Sequence, residues 1–165
     1  MSKDSDFIGD TGESAMRTAL LRTIKQSLFP GYPRFLFKPI FLGEKAELFD
    51  FLVYLRDKNG DLTGAHFFVQ VKSTEARIKT GQCPAPFSAD AVKTALTFKV
   101  PSYLCAVKIG AKSKVYVRGL SYTRKRGFAG VGTQHNLNDA DVRVAIYDEV
   151  ANFFTKQGYK FSSAF

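Results

Sequence analysis

Two side chains interrupt an apolar run two residues apart. In HFFVQVKST, Gln70 and Lys72 fall among Phe67, Phe68, Val69 and Val71. A strand turns alternate side chains to the same face, so an amide and an amine are expected side by side there. Twenty residues earlier a carboxylate, Asp50, stands inside FDFLV between Phe49 and Phe51. Burying a carboxylate in so apolar a run is costly unless it is paired or binds a cation. A fourth polar group, Glu13, falls three residues before Met16 and seven before Leu20, on the core-facing stripe of an expected helix.

Two chemistries suit this set. One is structural: an Asp50–Lys72 ion pair with Gln70 as hydrogen-bond partner, while Glu13 completes a capping box with Asp10. The other is metal-assisted hydrolysis of a phosphodiester. A hard cation such as Mg²⁺ or Mn²⁺ takes oxygen ligands and keeps several waters. Asp50 would anchor it, with the Gln70 side-chain oxygen, the Val71 carbonyl and Glu13 as further ligands. Lys72 would orient the attacking water and offset charge on the phosphate.

The elements that must position these groups are legible in outline. A helix is expected from Asp10, with Met16, Leu20, Ile24 and Leu28 on one stripe, ended by Pro30, Gly31 and Pro33. Strands are expected at 34–41, where Pro39 marks an edge, at 47–55 and at 65–73, the last two joined through the hairpin signal Asn59-Gly60. That turn brings Asp50 opposite Gln70 or nearly so. Residues 75–86 read as a loop, and Ser88 as the cap of a short helix bearing Ala91, Ala95 and Phe98. Two strands follow at 102–109 and 114–120. A basic, glycine-rich loop at 121–136 leads to a last helix at 137–158, capped by Asn138, with Val142, Ala145, Ile146, Val150, Phe153 and Phe154 as its stripe and Gly158 as its stop.

The order α, β, β, β, α, β, β, α predicts an α/β protein with a mixed sheet flanked by helices. The connection from the third strand through a helix to the fourth suits parallel neighbours. The 165 residues suit one domain: a core over 10–120, the loop, and the C-terminal helix.

GESA, FDFLVYLRDKNGDLTG and FFVQVKST, in that order, resemble the PD-(D/E)xK nuclease superfamily, and more narrowly a bacterial family of uncharacterised domains with an Asp-bearing strand, a long hairpin and Q-V-K-S-T. The resemblance covers roughly residues 9 to 120 and implies a restriction-endonuclease-like αβββαβ core. It implies Glu13 on the helix, Asp50 as metal ligand, Gln70 at the usual second acidic position, Lys72 as catalytic lysine, and a place in bacterial defence. Phe49 stands where the superfamily's proline would be, and Gln70 replaces an acid, which lowers the ligand charge.

Composition points the same way. Lys plus Arg number 24 against 15 Asp plus Glu, a formal charge of +9 that favours polyanions. Arg77, Lys79, Arg118 and the TRKR cluster, with Arg124, Lys125 and Arg126, are the expected phosphate contacts, in DNA before RNA. Cys83 and Cys105 have no CxxC spacing, so neither a disulfide framework nor a zinc site is expected. No apolar run approaches a membrane span and the N-terminus lacks a signal-peptide core, so a cytoplasmic setting is expected. GFAGVGT lacks the Gly-Lys-Ser/Thr of a phosphate loop. The expected activity is that of a nuclease, acting alone, as a homodimer or beside a partner subunit. The alternative is a catalytically silent nucleic-acid-binding or adaptor subunit on the same scaffold.

Overall fold

The computed structural model describes residues 3–43, 46–121, 126–156 and 163–165. Helix α1 spans Lys3–Leu21. Its stripe Met16, Ala19 and Leu20 is fully buried, as the spacing predicts. The helix starts seven residues before Asp10, however, so the Asp10–Glu13 capping box does not form. The GDTG segment has weak helix propensity and reads as a start, but packing on the sheet carries the helix through it. Gly12 is part of that packing: a Cβ there would lie 2.6 Å from the Cβ of Ser73. The far end also differs, for α1 stops at Leu21. Ile24 still reaches the core, its amide donating to the Arg34 carbonyl, whereas Leu28 is exposed.

Strands β1 (Phe37–Phe41), β2 (Phe51–Arg56) and β3 (Leu62–Thr74) form an antiparallel meander. Pro39 lies on β1, an edge strand, where its missing N–H costs no ladder bond. The Asn59-Gly60 turn is tied by Asp57, whose Oδ1 accepts from the amides of Asn59 and Asp61. Strand β4 (Gln82–Phe87), helix α2 (Ala89–Thr97), strands β5 (Ser102–Lys108), β6 (Lys114–Gly119) and β7 (Phe128–Gly132), and helix α3 (Ala140–Thr155) complete the described chain. The main sheet runs β1-β2-β3-β5-β6, with β3 and β5 parallel as the helical crossover requires.

Two expected loops contain strands. Strand β4 begins within 75–86 and ends one residue beyond it, β7 lies within 121–136, and the two pair antiparallel as a second, small sheet. Pro and Gly are poor strand formers by themselves, yet Pro84 and the glycines are what this pairing uses. Gly130 faces Pro84, and a Cβ on it would sit 2.6 Å from the Cys83 carbonyl oxygen.

The sheet separates two cores. On one face α1 and α3 cover Val53, Phe67, Val69, Val71, Tyr103 and Cys105. On the other, α2 and the small sheet cover Phe49, Leu104, Ala106 and Tyr116. Ser88 caps α2 as expected, its Oγ accepting from the Ala91 amide, and Val92 and Ala95 are the buried residues of that helix. In α3 the cap position is Asp139, not Asn138, and Ala145 is exposed. Arg143 takes a buried place instead, donating to the carbonyls of Leu137, Asn138 and Thr23. Gly158 lies outside the described residues. Among the described residues no helix is long and apolar enough to cross a membrane.

Candidate active site

The ladder between β2 and β3 ends at the Phe51–Val69 pair. One step beyond it, the Asp50 amide still donates to the Val69 carbonyl at 2.9 Å, while the Asp50 carbonyl accepts from Leu42 at 2.9 Å. The backbone thus turns away from β3, and the Asp50 side chain takes over. Its Oδ2 accepts from the Val71 amide at 2.6 Å and from Gln70 Nε2 at 2.8 Å. The same Nε2 donates to the Val71 carbonyl at 3.1 Å. Asp50 Oδ1 accepts no hydrogen bond among the described residues.

Glu13 reaches this site from α1. Burial raises its carboxyl above the usual range, and the Asp50 and Asp10 charges add to the effect. Burial also raises Asp50, against the opposing pull of the Val71 amide and the Lys72 charge. Lys72 feels Asp50 at a distance, for among the described residues the only ion pair is Lys93–Asp90. The structural expectation is therefore half met: Gln70 bonds Asp50, but Asp50 and Lys72 form no contact pair.

A cleft of about 410 Å³ opens between α1 and the end of β3. Ser5, Gly9 and Glu13 form one wall; Val71, Lys72 and Thr74 form the other. Asp50 and Gln70 are not in its walls. The structure thus brings Glu13, Asp50, Gln70, Val71 and Lys72 into one neighbourhood, with the lysine and one acid open to the cleft.

No family model, curated protein or solved structure matches this chain.

The donor set is all oxygen: two carboxylates, one carbonyl and one carboxamide. Among the described residues no group of three His, Cys, Asp or Glu side chains is placed to hold a metal. Thiolate or imidazole chemistry has no foothold here: Cys105 is wholly buried, its thiol pushed up to about 12 by burial first and then by the Asp50 charge. The two histidines pack on rings, His66 against Tyr54 and Phe154, His135 against Phe165.

The basic residues divide. Arg77 and Lys79, both exposed, line a second cleft of about 430 Å³ with Gln82 and Pro84 on the rim of the small sheet. Arg118 is half-buried, its guanidinium 4.3 Å above the Phe128 ring. Arg126 is exposed. Arg124 and Lys125 lie outside the described residues. Sequence reasoning missed Lys108, whose Nζ donates to the carbonyls of Glu75 and Ile109 and so fixes the chain where it leaves β3. Its only signal was a lysine closing an otherwise apolar strand. It missed Gly12 too, whose role appears only when helix and strand are packed.

Proposed function

We propose that the chain hydrolyses phosphodiester bonds of nucleic acid, DNA before RNA, on a restriction-endonuclease-like core. The observation that carries this reading is the meeting of Asp50, Gln70 and Val71 at the point where β2 leaves β3, with Glu13 and Lys72 beside them. The order α1-β1-β2-β3-α2-β5, with β4 as an insertion, is compatible with an αβββαβ core.

The oxygen-only donors fit a hard divalent cation, Mg²⁺ or Mn²⁺. Asp50 and the Val71 carbonyl would hold it, with Glu13 and the Gln70 carboxamide oxygen as further ligands. When bound, the cation supplies Lewis acidity toward the phosphate and a more acidic water. Lys72, half-buried and free of any ion pair among the described residues, places a positive charge at the cleft wall where a phosphate would enter. Asp50 is oriented by the Val71 amide, so its geometry does not depend on the substrate. Arg77 and Lys79 extend the positive surface along the small sheet.

Purified protein incubated with plasmid DNA and Mg²⁺ or Mn²⁺ tests the reading. Cleavage is expected to fall by about 100-fold or more in Asp50→Ala and Lys72→Ala, with DNA binding kept. Cleavage that survives either change refutes it. The silent-subunit reading is favoured by one observation, the Gln70 nitrogen set between the two oxygens a cation would use. It predicts binding that is unchanged in EDTA and in both variants.

A further inference from the structure

The Gln70 carboxamide is 9% exposed and its orientation is dictated by chemistry. The Val71 carbonyl oxygen can only accept, as does Asp50 Oδ2 in the ionised form, so the group facing both is the NH₂. We propose that this NH₂ holds, in the metal-free protein, the place between Asp50 and Val71 that a divalent cation would occupy, and that the cation enters by turning the amide. Gln70 then sets the metal demand of the site. The inference rests on the proposed cation-dependent activity and deepens it.

An acid at position 70 would behave differently. A third acceptor would face Asp50 Oδ2 and the Val71 carbonyl, with Glu13 close by, and the cluster would need a proton or a cation to settle. The carboxamide removes that need. The metal-free site is hydrogen-bonded and carries one negative charge fewer. In exchange, a cation must displace two hydrogen bonds before it gains the carboxamide oxygen as a ligand. Its affinity is accordingly lower than that of a site with an acid there.

The test uses the full chain and Gln70→Glu, with Mg²⁺ alone as the probe. In isotope-labelled wild type, the Gln70 side-chain NH₂ signals, assigned by their loss in the variant, are expected to shift with Mg²⁺ in step with the Val71 amide. Gln70→Glu is expected to melt lower than wild type without metal at neutral pH. That deficit should shrink at mildly acidic pH, where the introduced carboxyl, once protonated, can donate as the amide did; a merely steric defect would not follow pH. By calorimetry the variant should bind Mg²⁺ about tenfold more tightly. Should Mg²⁺ bind and Asp50→Asn abolish that binding, yet the Gln70 signals stay still and Gln70→Glu keep the wild-type affinity, the latch is wrong and the cation site stands. If neither chain binds Mg²⁺, latch and cation reading fall together.

Discussion

The Val71 amide donates to Asp50 Oδ2 across 2.6 Å, a side-chain bond in the place where the β2 backbone has left its neighbour. This bond holds a half-buried carboxylate whose desolvation outweighs the groups that favour its charge. The native state therefore holds the Asp50 proton more tightly than the unfolded chain does. Stability from this group is greatest when the carboxyl is protonated and falls as pH rises from the ordinary carboxylate range through the raised native value. Asp50→Asn keeps one oxygen that can accept from both the Val71 amide and the Gln70 NH₂, while its own NH₂ takes the place of Oδ1, which accepts no bond among the described residues. The variant is expected to melt above wild type at neutral pH, with the difference closing toward mild acid. Melting curves of both proteins across that range check this, and a variant less stable at neutral pH would contradict it.

Gly12 of α1 lies so close over β3 that a Cβ on it would sit 2.6 Å from the Ser73 Cβ. Gly12→Ala gains helix propensity, about 1 kcal/mol, but forces the helix or the strand to shift at an overpacking cost of about 1–3 kcal/mol. A net loss of stability is expected. Ser73→Gly in the same chain should restore most of it, because the methyl then has room. Urea unfolding of the two single variants and the double variant measures the coupling, expected at about 0.5–3 kcal/mol.

Lys79 and Arg118 are expected to differ in their share of DNA binding. Lys79 is exposed on the cleft rim, while Arg118 is occupied by the Phe128 ring. Each phosphate neutralised adds about 0.9 to the slope of log affinity against log salt. Lys79→Gln should flatten that slope by about one such unit and Arg118→Gln by clearly less. Fluorescence anisotropy over a salt series reads both. Equal slopes for the two variants would show that Arg118 meets the phosphates as fully as Lys79.

Tyr103 is buried in the sheet and its hydroxyl donates to Glu149 Oε2, the carboxylate that also accepts from the Ala164 amide and Ser163 Oγ. Tyr103→Phe takes one donor from this carboxylate and is expected to cost about 1.5–3 kcal/mol, the range for bonds to charged groups. The loss should also loosen the terminal residues, since the Gly119 amide donates to the Phe165 carbonyl. Faster hydrogen exchange at Gly119 reports that.

The alternation of apolar residues, the Asn59-Gly60 turn and the Ser88 cap are local signals, and they determined the meander and α2. The turn alone pairs Arg56 with Leu62; an irregularity between Tyr54 and Arg56 then shifts the register by two, and only beyond that shift does Asp50 meet Gln70, a step that the turn signal did not carry. The strands β4 and β7 were not legible either. Their pairing joins residues about fifty apart, and Pro84 and Gly130 look like breakers until the partner strand is present. Glu13 was placed on the right face of α1 by its spacing to Met16 and Leu20; only its capping-box role failed, since the helix begins long before the cap that local chemistry suggests. The hydrogen bonds of the Gln70 amide, and the distance that keeps Lys72 from pairing with Asp50, belong to tertiary structure alone. Side-chain types and spacing name the groups that can meet; which atom faces which is settled by where β2 turns away from β3 and by how closely α1 can lie over Ser73.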